Sequence, residues 1–336
     1  MLDRLIPAHV RWFIDSEYDN VNFEADLVFM MIITGAILTI LAFPFMNRSK
    51  LYLDFCRWID EKRALPDGLE WRLVSGLTGM MLLINTFSGD FVAPNIEINH
   101  PTGLWIALTA QTIVALLLLF HISYSISGAL ILVALVPTVI LIPLEVTIDY
   151  AAELVSLSLA LIFIGPSISR VDRAIFEATG WEWQSLRQYA LPTVRVGVGL
   201  TLITLALHNK LLDPAPSMAF IAEHNWNFFP MIGMDFVSDL NFVLFAGITE
   251  MLIGVAICFN QIMRWATILI ALLLTTTLLI LGYGELVGHL PLFGLGILFV
   301  LKGGGSFDGL FPKDELIVIS DESMETIEIP PVATEP

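Results

Sequence analysis

Positive charge is scarce in this chain. Its 336 residues hold 16 lysines and arginines against 33 aspartates and glutamates, a formal net charge of −17, which excludes the clustered basic surface that nucleic acid requires. No basic tail is present for anionic lipid either. Charge of any sign is thin, 15% of residues against 56% hydrophobic, and that balance excludes a soluble globular domain in favour of an integral membrane protein. Cysteine is nearly absent. Cys56 and Cys258 stand in unrelated segments without a C-x-x-C spacing, so neither a thioredoxin-like pair nor a zinc site is readable. A glycine-rich nucleotide motif is missing too, and Gly303-Gly304-Gly305 reads as a linker. The opening lacks the basic start and short apolar run of a secretory signal: the first apolar run begins at Leu27, is roughly twenty residues long and follows an acidic segment.

What the chain has is long uncharged runs. They predict an all-α, polytopic membrane helix bundle of about nine transmembrane helices, at 27–46, 73–88, 103–122, 126–144, 151–165, 196–207, 242–261, 265–284 and 286–301. The sixth and ninth are short and need flanking polar residues to cross. With the N-terminus outside, thirteen of the sixteen lysines and arginines fall on the inner face, leaving Arg4, Arg11 and Lys210 outside. That orientation puts the C-terminus in the cytoplasm, and the expected location is an energy-transducing membrane of the bacterial inner type.

Residues 1–26 interleave Leu2, Leu5, Ile6, Val10, Trp12 and Phe13 with Arg4, His9 and Arg11, which suits either an interfacial helix or an ordered leader. Two inner connections, 47–70 and 166–191, repeat apolar residues at helical spacing (Leu51, Phe55, Trp58 and Ile59 in the first) and predict in-plane surface helices. From 303 to 336 the chain becomes an acidic tail, with Asp314, Glu315, Asp321, Glu322, Glu325, Glu328 and Glu335 against Lys313. It reads as solvated, with 316–319 able to add as a strand to a partner.

One acid sits where an acid is expensive. Glu250 lies near the middle of the run 242–261, at a depth where a carboxyl costs about 2.5–3.5 kcal/mol on insertion scales. Ala246, Gly247 and Gly254 share its helical face, a stripe of small residues that lets another helix approach, so Glu250 points at protein. It is either a hydrogen-bonded structural acid or a functional one. The chain also carries a weak internal repeat. Residues 72–77 resemble 195–200, and Ala107-x-x-x-Gln111-x-x-x-Ala115 matches Ala246-x-x-x-Glu250-x-x-x-Gly254 in register. The implied units are 47–165 and 166–302, behind a leading helix at 27–46. Gln111 stands at the place of Glu250, Asp90 stands near that of Lys210, and nothing matches His208. Any site is therefore expected in the second unit, with the first closing the bundle.

Gly247-x-x-Glu250-x-x-x-Gly254, followed by Arg264-Trp265-Ala266 and preceded by 208–214 (HNKLLDP), resembles the DoxX-like family of small four-helix membrane proteins, most clearly over 195–302. The resemblance implies two fused four-helix units. It also implies a membrane subunit of a redox or electron-transport complex, as in the membrane subunit of a thiosulfate:quinone oxidoreductase.

The threading gathers His208, Lys210, Asp213, Glu223, His224, Asp235, Asp239, Glu285 and His289 at the outer end of the second unit, above Glu250. Three readings stay open. A quinone or proton-relay site would use Glu250, His208, Lys210, Glu285 and His289 under aromatic cover from Trp226, Phe228 and Phe229. A metal site would use His208, His224 and His289 with Glu285. The plain alternative is headgroup anchoring, as expected of Glu145, Asp149 and Glu153 in the first unit. For the whole chain, the expectation is a membrane subunit that binds lipid and other subunits and is not catalytic alone. A pure scaffold and a small-solute or proton carrier are the alternatives.

Overall fold

The computed structural model describes residues 26–63, 66, 68–93, 96, 98, 100–141 and 144–307. The expected interfacial segment before Asp26 and the acidic tail from 308 lie outside them. Among the described residues every regular element is a helix. In chain order these are α1 (Leu27–Asn47), α2 (Lys50–Lys62), α3 (Leu69–Ser88), α4 (Pro101–Leu119), α5 (Tyr124–Leu141), α6 (Leu144–Ile168), α7 (Arg170–Thr179), α8 (Trp183–Arg187), α9 (Ala190–Ala206), α10 (Ala215–His224), α11 (Asp239–Cys258), α12 (Met263–Leu281) and α13 (Tyr283–Lys302). Five stretches are long and apolar enough to cross a membrane: Leu27–Asn47, Pro101–Leu119, Thr147–Ile168, Gln184–Leu211 and Asp239–Cys258.

Local chemistry sets the helix starts. Asp26, Ser49, Ser169 and Ser238 cap α1, α2, α7 and α11, each side chain accepting from a backbone N–H three residues on. The two short runs do gain length from their flanks. A π turn, Leu207–Leu211, continues α9 through His208 and Lys210, and α13 reaches from Tyr283 to Lys302. Both inner connections carry amphipathic helices. α2 buries Tyr52 and Ile59, α7 buries Asp172 and Phe176, and the second connection breaks before α8.

The long helices form a closed ring. α3 packs on α4, α4 on α5, α5 on α6, α6 on α9, α9 on α11, α11 on α12 and α12 on α13, and α13 against α3 closes the circle. α1 lies outside it against α11, where Asn241 Nδ2 donates to the capping Asp26 at 2.8 Å. Two of these crossings are close because a side chain is missing. A Cβ on Gly199 would stand 2.7 Å from the Gly254 carbonyl oxygen, and one on Gly79 2.8 Å from that of Ala115. Gly254 and Ala115 are the residues matched by the sequence repeat. The sequence pairs Gly199 with Gly76, however, and Gly76 faces open space; Gly79, one turn later, makes the crossing. The interval from Ala115 to Gly254 also separates His121 from Asn260, which end α4 and α11 with φ of 54° and 56°.

Polar clasps hold the ring at the end bearing α2 and α7. The buried Asp172 of α7 accepts from Ser123 Oγ and from the backbone N–H of Tyr124 (2.8 Å) and Ser125 (3.2 Å) at the start of α5. From α2, Asp60 holds Arg264 in the first turn of α12, with Nη2 donating at 2.6 Å and Nη1 at 3.3 Å. The two surface helices thus grip distant spans, α7 holding α5 and α2 holding α12. Arg195 donates to the carbonyls of Ile257, Cys258 and Gly304, and Lys302 pairs with the fully buried Glu70 at 3.1 Å. Tyr52, packed edge-on against Trp265 with centroids 5.1 Å apart, has its hydroxyl pushed up to about 12 by burial.

Two predictions follow from these clasps. Asp172→Ala uncaps α5 inside the protein and should cost about 3 kcal/mol, seen as a lower midpoint in thermal unfolding of detergent-solubilised protein. His121 Nδ1 lies 3.2 Å from Ser75 Oγ and 3.1 Å from the Tyr124 hydroxyl. Burial, then the nearby Arg72, holds its pKa below the ordinary value of 6.5. Its stability contribution is therefore present above that ordinary value and lost as pH falls toward the depressed one. His121→Gln should flatten that acid-side loss of thermal stability.

Candidate functional site

A cavity of about 840 Å³ lies inside the ring, lined from α3, α4, α5, α6, α9, α11, α12 and α13 together. Its wall is apolar apart from a few convergent groups, which is the ordinary build of a small-molecule site. Among those groups are Asn85, Gln111, Asp149, Glu153, Lys210, Glu250 and His289.

Lys210 Nζ donates to Glu250 Oε2. The two side chains are 20% and 18% exposed, so the pair is held largely away from solvent. Two local features bring it about. The π turn closes with Leu212 N–H donating to the Leu207 carbonyl at 2.8 Å, and such turns re-aim side chains that a regular helix would place elsewhere. Facing it, Gly247 leaves the room: a Cβ there would stand 2.8 Å from the Lys210 Cβ. The Gly247-x-x-Glu250 spacing therefore first admits the lysine's backbone and then answers its charge one turn later.

Gln111, aligned with Glu250 in the sequence comparison above, forms a neutral clamp. Gln111 Nε2 donates to the carbonyls of Leu82 and Asp90 and to Thr86 Oγ1, each at 3.0 Å, while its Oε1 accepts from Val92 N–H at 2.7 Å. Asp90 thus meets Gln111 through its backbone where Lys210 meets Glu250 through its side chain. The interval from Gln111 to Glu250 recurs between Tyr150 and His289, which both line the cavity.

The expected site residues divide. His208 Nδ1 lies 3.0 Å from Asp149 Oδ1, tying the end of α9 to α6. His289 is buried in the cavity wall at 9% exposure. Glu285 falls in the first turn of α13, and its side chain lies outside the described residues. Trp226 and Phe228 do line the cavity. Phe229 stands behind them, stacked on Phe228 with centroids 4.9 Å apart and edge-on to Phe242 and Phe245 at 5.9 Å. Among the described residues no three ligating side chains converge: His208 lies against Asp149, and His224 packs on Phe220 at 4.7 Å.

Sequence reasoning also missed part of the site. It assigned Asp149 and Glu153 to headgroup anchoring because the fifth span was taken to start at 151. The helix starts at Leu144, so both acids enter the bundle, one turn apart on one face of α6. Asp149 engages His208, while the Glu153 carboxyl lines the cavity with no hydrogen-bond or ionic partner among the described residues. The i, i+4 spacing of the two acids was the available signal. The cavity wall accordingly draws polar groups from α3, α4 and α6 as well as from the residues after 166.

Family models, curated proteins and solved structures give no match to this chain.

The Lys210–Glu250 pair makes a double-mutant cycle the informative test. Removing one partner strands a charge in an apolar wall, so Lys210→Met or Glu250→Gln alone should each destabilise, by about 3–5 kcal/mol where the remaining charge stays buried. The double variant should cost much less than their sum. Midpoints of thermal unfolding in one detergent decide it, and simple additivity would mean that the pair does not form.

Proposed function

We propose that this is an integral membrane protein of nine spans, made of two fused DoxX-like four-helix units behind a leading helix. Its cavity holds the head of a lipid-soluble, quinone-type molecule on behalf of a redox complex. The observation that carries the reading is the apolar cavity of about 840 Å³ with an acid–lysine pair, a histidine and two aromatic rings on its wall. An apolar chamber suits the ring and tail of such a lipid, and a few placed polar groups suit its oxygens. The tandem origin is supported by the ring order and by the constant interval linking Ala115 to Gly254, Gln111 to Glu250 and His121 to Asn260. For orientation, Arg195, Arg264 and Lys302 gather at the end away from Lys210, which fits an inner cytoplasmic face there and an N-terminus outside. An energy-transducing membrane and other membrane subunits as partners belong to the same reading, with the acidic tail available to a cytoplasmic one.

A carrier of protons or a small solute is the second reading, and one feature favours it. The cavity lies between two like units with acids on both walls, Glu153 and Glu250, as in transporters built from repeats.

Native mass spectrometry of protein released from its membrane in mild detergent, with organic extraction of bound lipid, tests the proposal. We expect additional polypeptides and a quinone-type lipid, with Glu250→Gln retaining the polypeptides and losing most of the lipid. Polypeptides without any such lipid in either protein would leave a scaffold instead. A lone chain that moves protons in vesicles would leave the carrier.

A further inference from the structure

The cavity wall has committed its amide donors and kept a buried acceptor free. Lys210 gives one N–H to Glu250, and the Gln111 amide is taken by two carbonyls and a hydroxyl. Asn85, only 2% exposed, donates from Nδ2 to the Val92 carbonyl at 2.6 Å. That bond fixes which way the amide points, since the opposite flip would set two oxygens together. Asn85 Oδ1 is consequently left buried at the cavity without a partner among the described residues. Glu153 lines the same cavity, also unpartnered among the described residues. As a carboxylate it only accepts; as an acid it serves either kind of ligand, so Asn85 decides the preference. An orphaned buried acceptor is a standing cost that a ligand's O–H or N–H relieves and a ligand's carbonyl does not.

We infer that the cavity selects the reduced, hydroxyl-bearing form of its ligand, a quinol over the corresponding quinone, through the free oxygen of Asn85 with Glu153 as the second acceptor. The inference rests on the quinone-type reading above and adds the redox state to it. The two forms share ring and tail, so apolar burial does not separate them and the hydrogen-bond inventory does. One satisfied acceptor corresponds to roughly tenfold in affinity. By linkage, tenfold tighter binding of the reduced form raises the potential of the bound two-electron couple by about 30 mV.

The experiment is equilibrium binding of decylubiquinol and decylubiquinone, under anaerobic conditions, to the full chain in nanodiscs of neutral lipid. We expect the quinol to bind about tenfold tighter. Asn85→Leu should bring the ratio of the two affinities close to one, and because a ratio is read, a partly weakened cavity does not mimic the result. Glu153→Gln should weaken the quinol while retaining a preference for it. Equal affinities in the wild-type chain, or tighter binding of the quinone, would overturn the inference and leave the quinone-type reading standing. An unchanged ratio in Asn85→Leu would overturn the role of Asn85. If neither form binds, the proposed function itself falls, and this inference with it. Should Asn85→Leu not fold, the wild-type ratio alone still decides the redox preference.

Discussion

An ammonium and a carboxylate meeting between apolar helices is the constraint around which the rest of this structure is arranged. Alone in such surroundings either charge is costly. Lys210 and Glu250 offset one another only because α9 widens into a π turn and α11 presents Gly247 instead of a side chain. The pair fixes the register of α9 against α11 at one end of their contact. Gly199 and Gly254 fix it at the other, where backbone meets backbone. With those two points set, the helix carrying His208 reaches across to Asp149 on α6.

The two ends of the ring are built on different physics. At the end carrying α2 and α7, carboxylates and guanidinium groups close on helix termini: Asp172 on the start of α5, Asp60 on Arg264, Arg195 on the last carbonyls of α11. Asp172 and Arg195 satisfy backbone atoms that helix ends leave open, and Asp60 ties α2 to α12 through Arg264. The opposite half is left hollow. Its polar residues face inward across the cavity and are not all paired, and unpaired polarity at such depth is where function is looked for first.

Much of this was written in patterns that survive without tertiary information. Glu250 stood out because a lone acid in an uncharged run has few structural excuses, and its small-residue face was readable from i±4 spacing. The matched positions Ala115 and Gly254 do occupy matching crossings. Other features were hidden for definite reasons. Asp149 looked like an anchor because the fifth span was taken to start at 151, whereas the helix runs seven residues further back, to Leu144. Asn85 gave no signal, since an amide in an apolar run is common and only the fixed direction of its one donor bond leaves its oxygen idle. Gly79 was passed over for Gly76 because similarity in a repeat lacks the one-turn precision that packing requires.

What the sequence determined by itself is the class of molecule: helical, apolar and strongly acidic, with one deep carboxylate that has to be answered. Those follow from composition and period, which are properties of the chain read locally. Which group answers that carboxylate, and what the answer leaves free, only the tertiary structure decided. Lys210 and Glu250 are forty positions apart, and Asp149 and His208 fifty-nine. Helix packing alone brings such distant residues within hydrogen-bond reach, and it alone determines which of their neighbours remain unsatisfied.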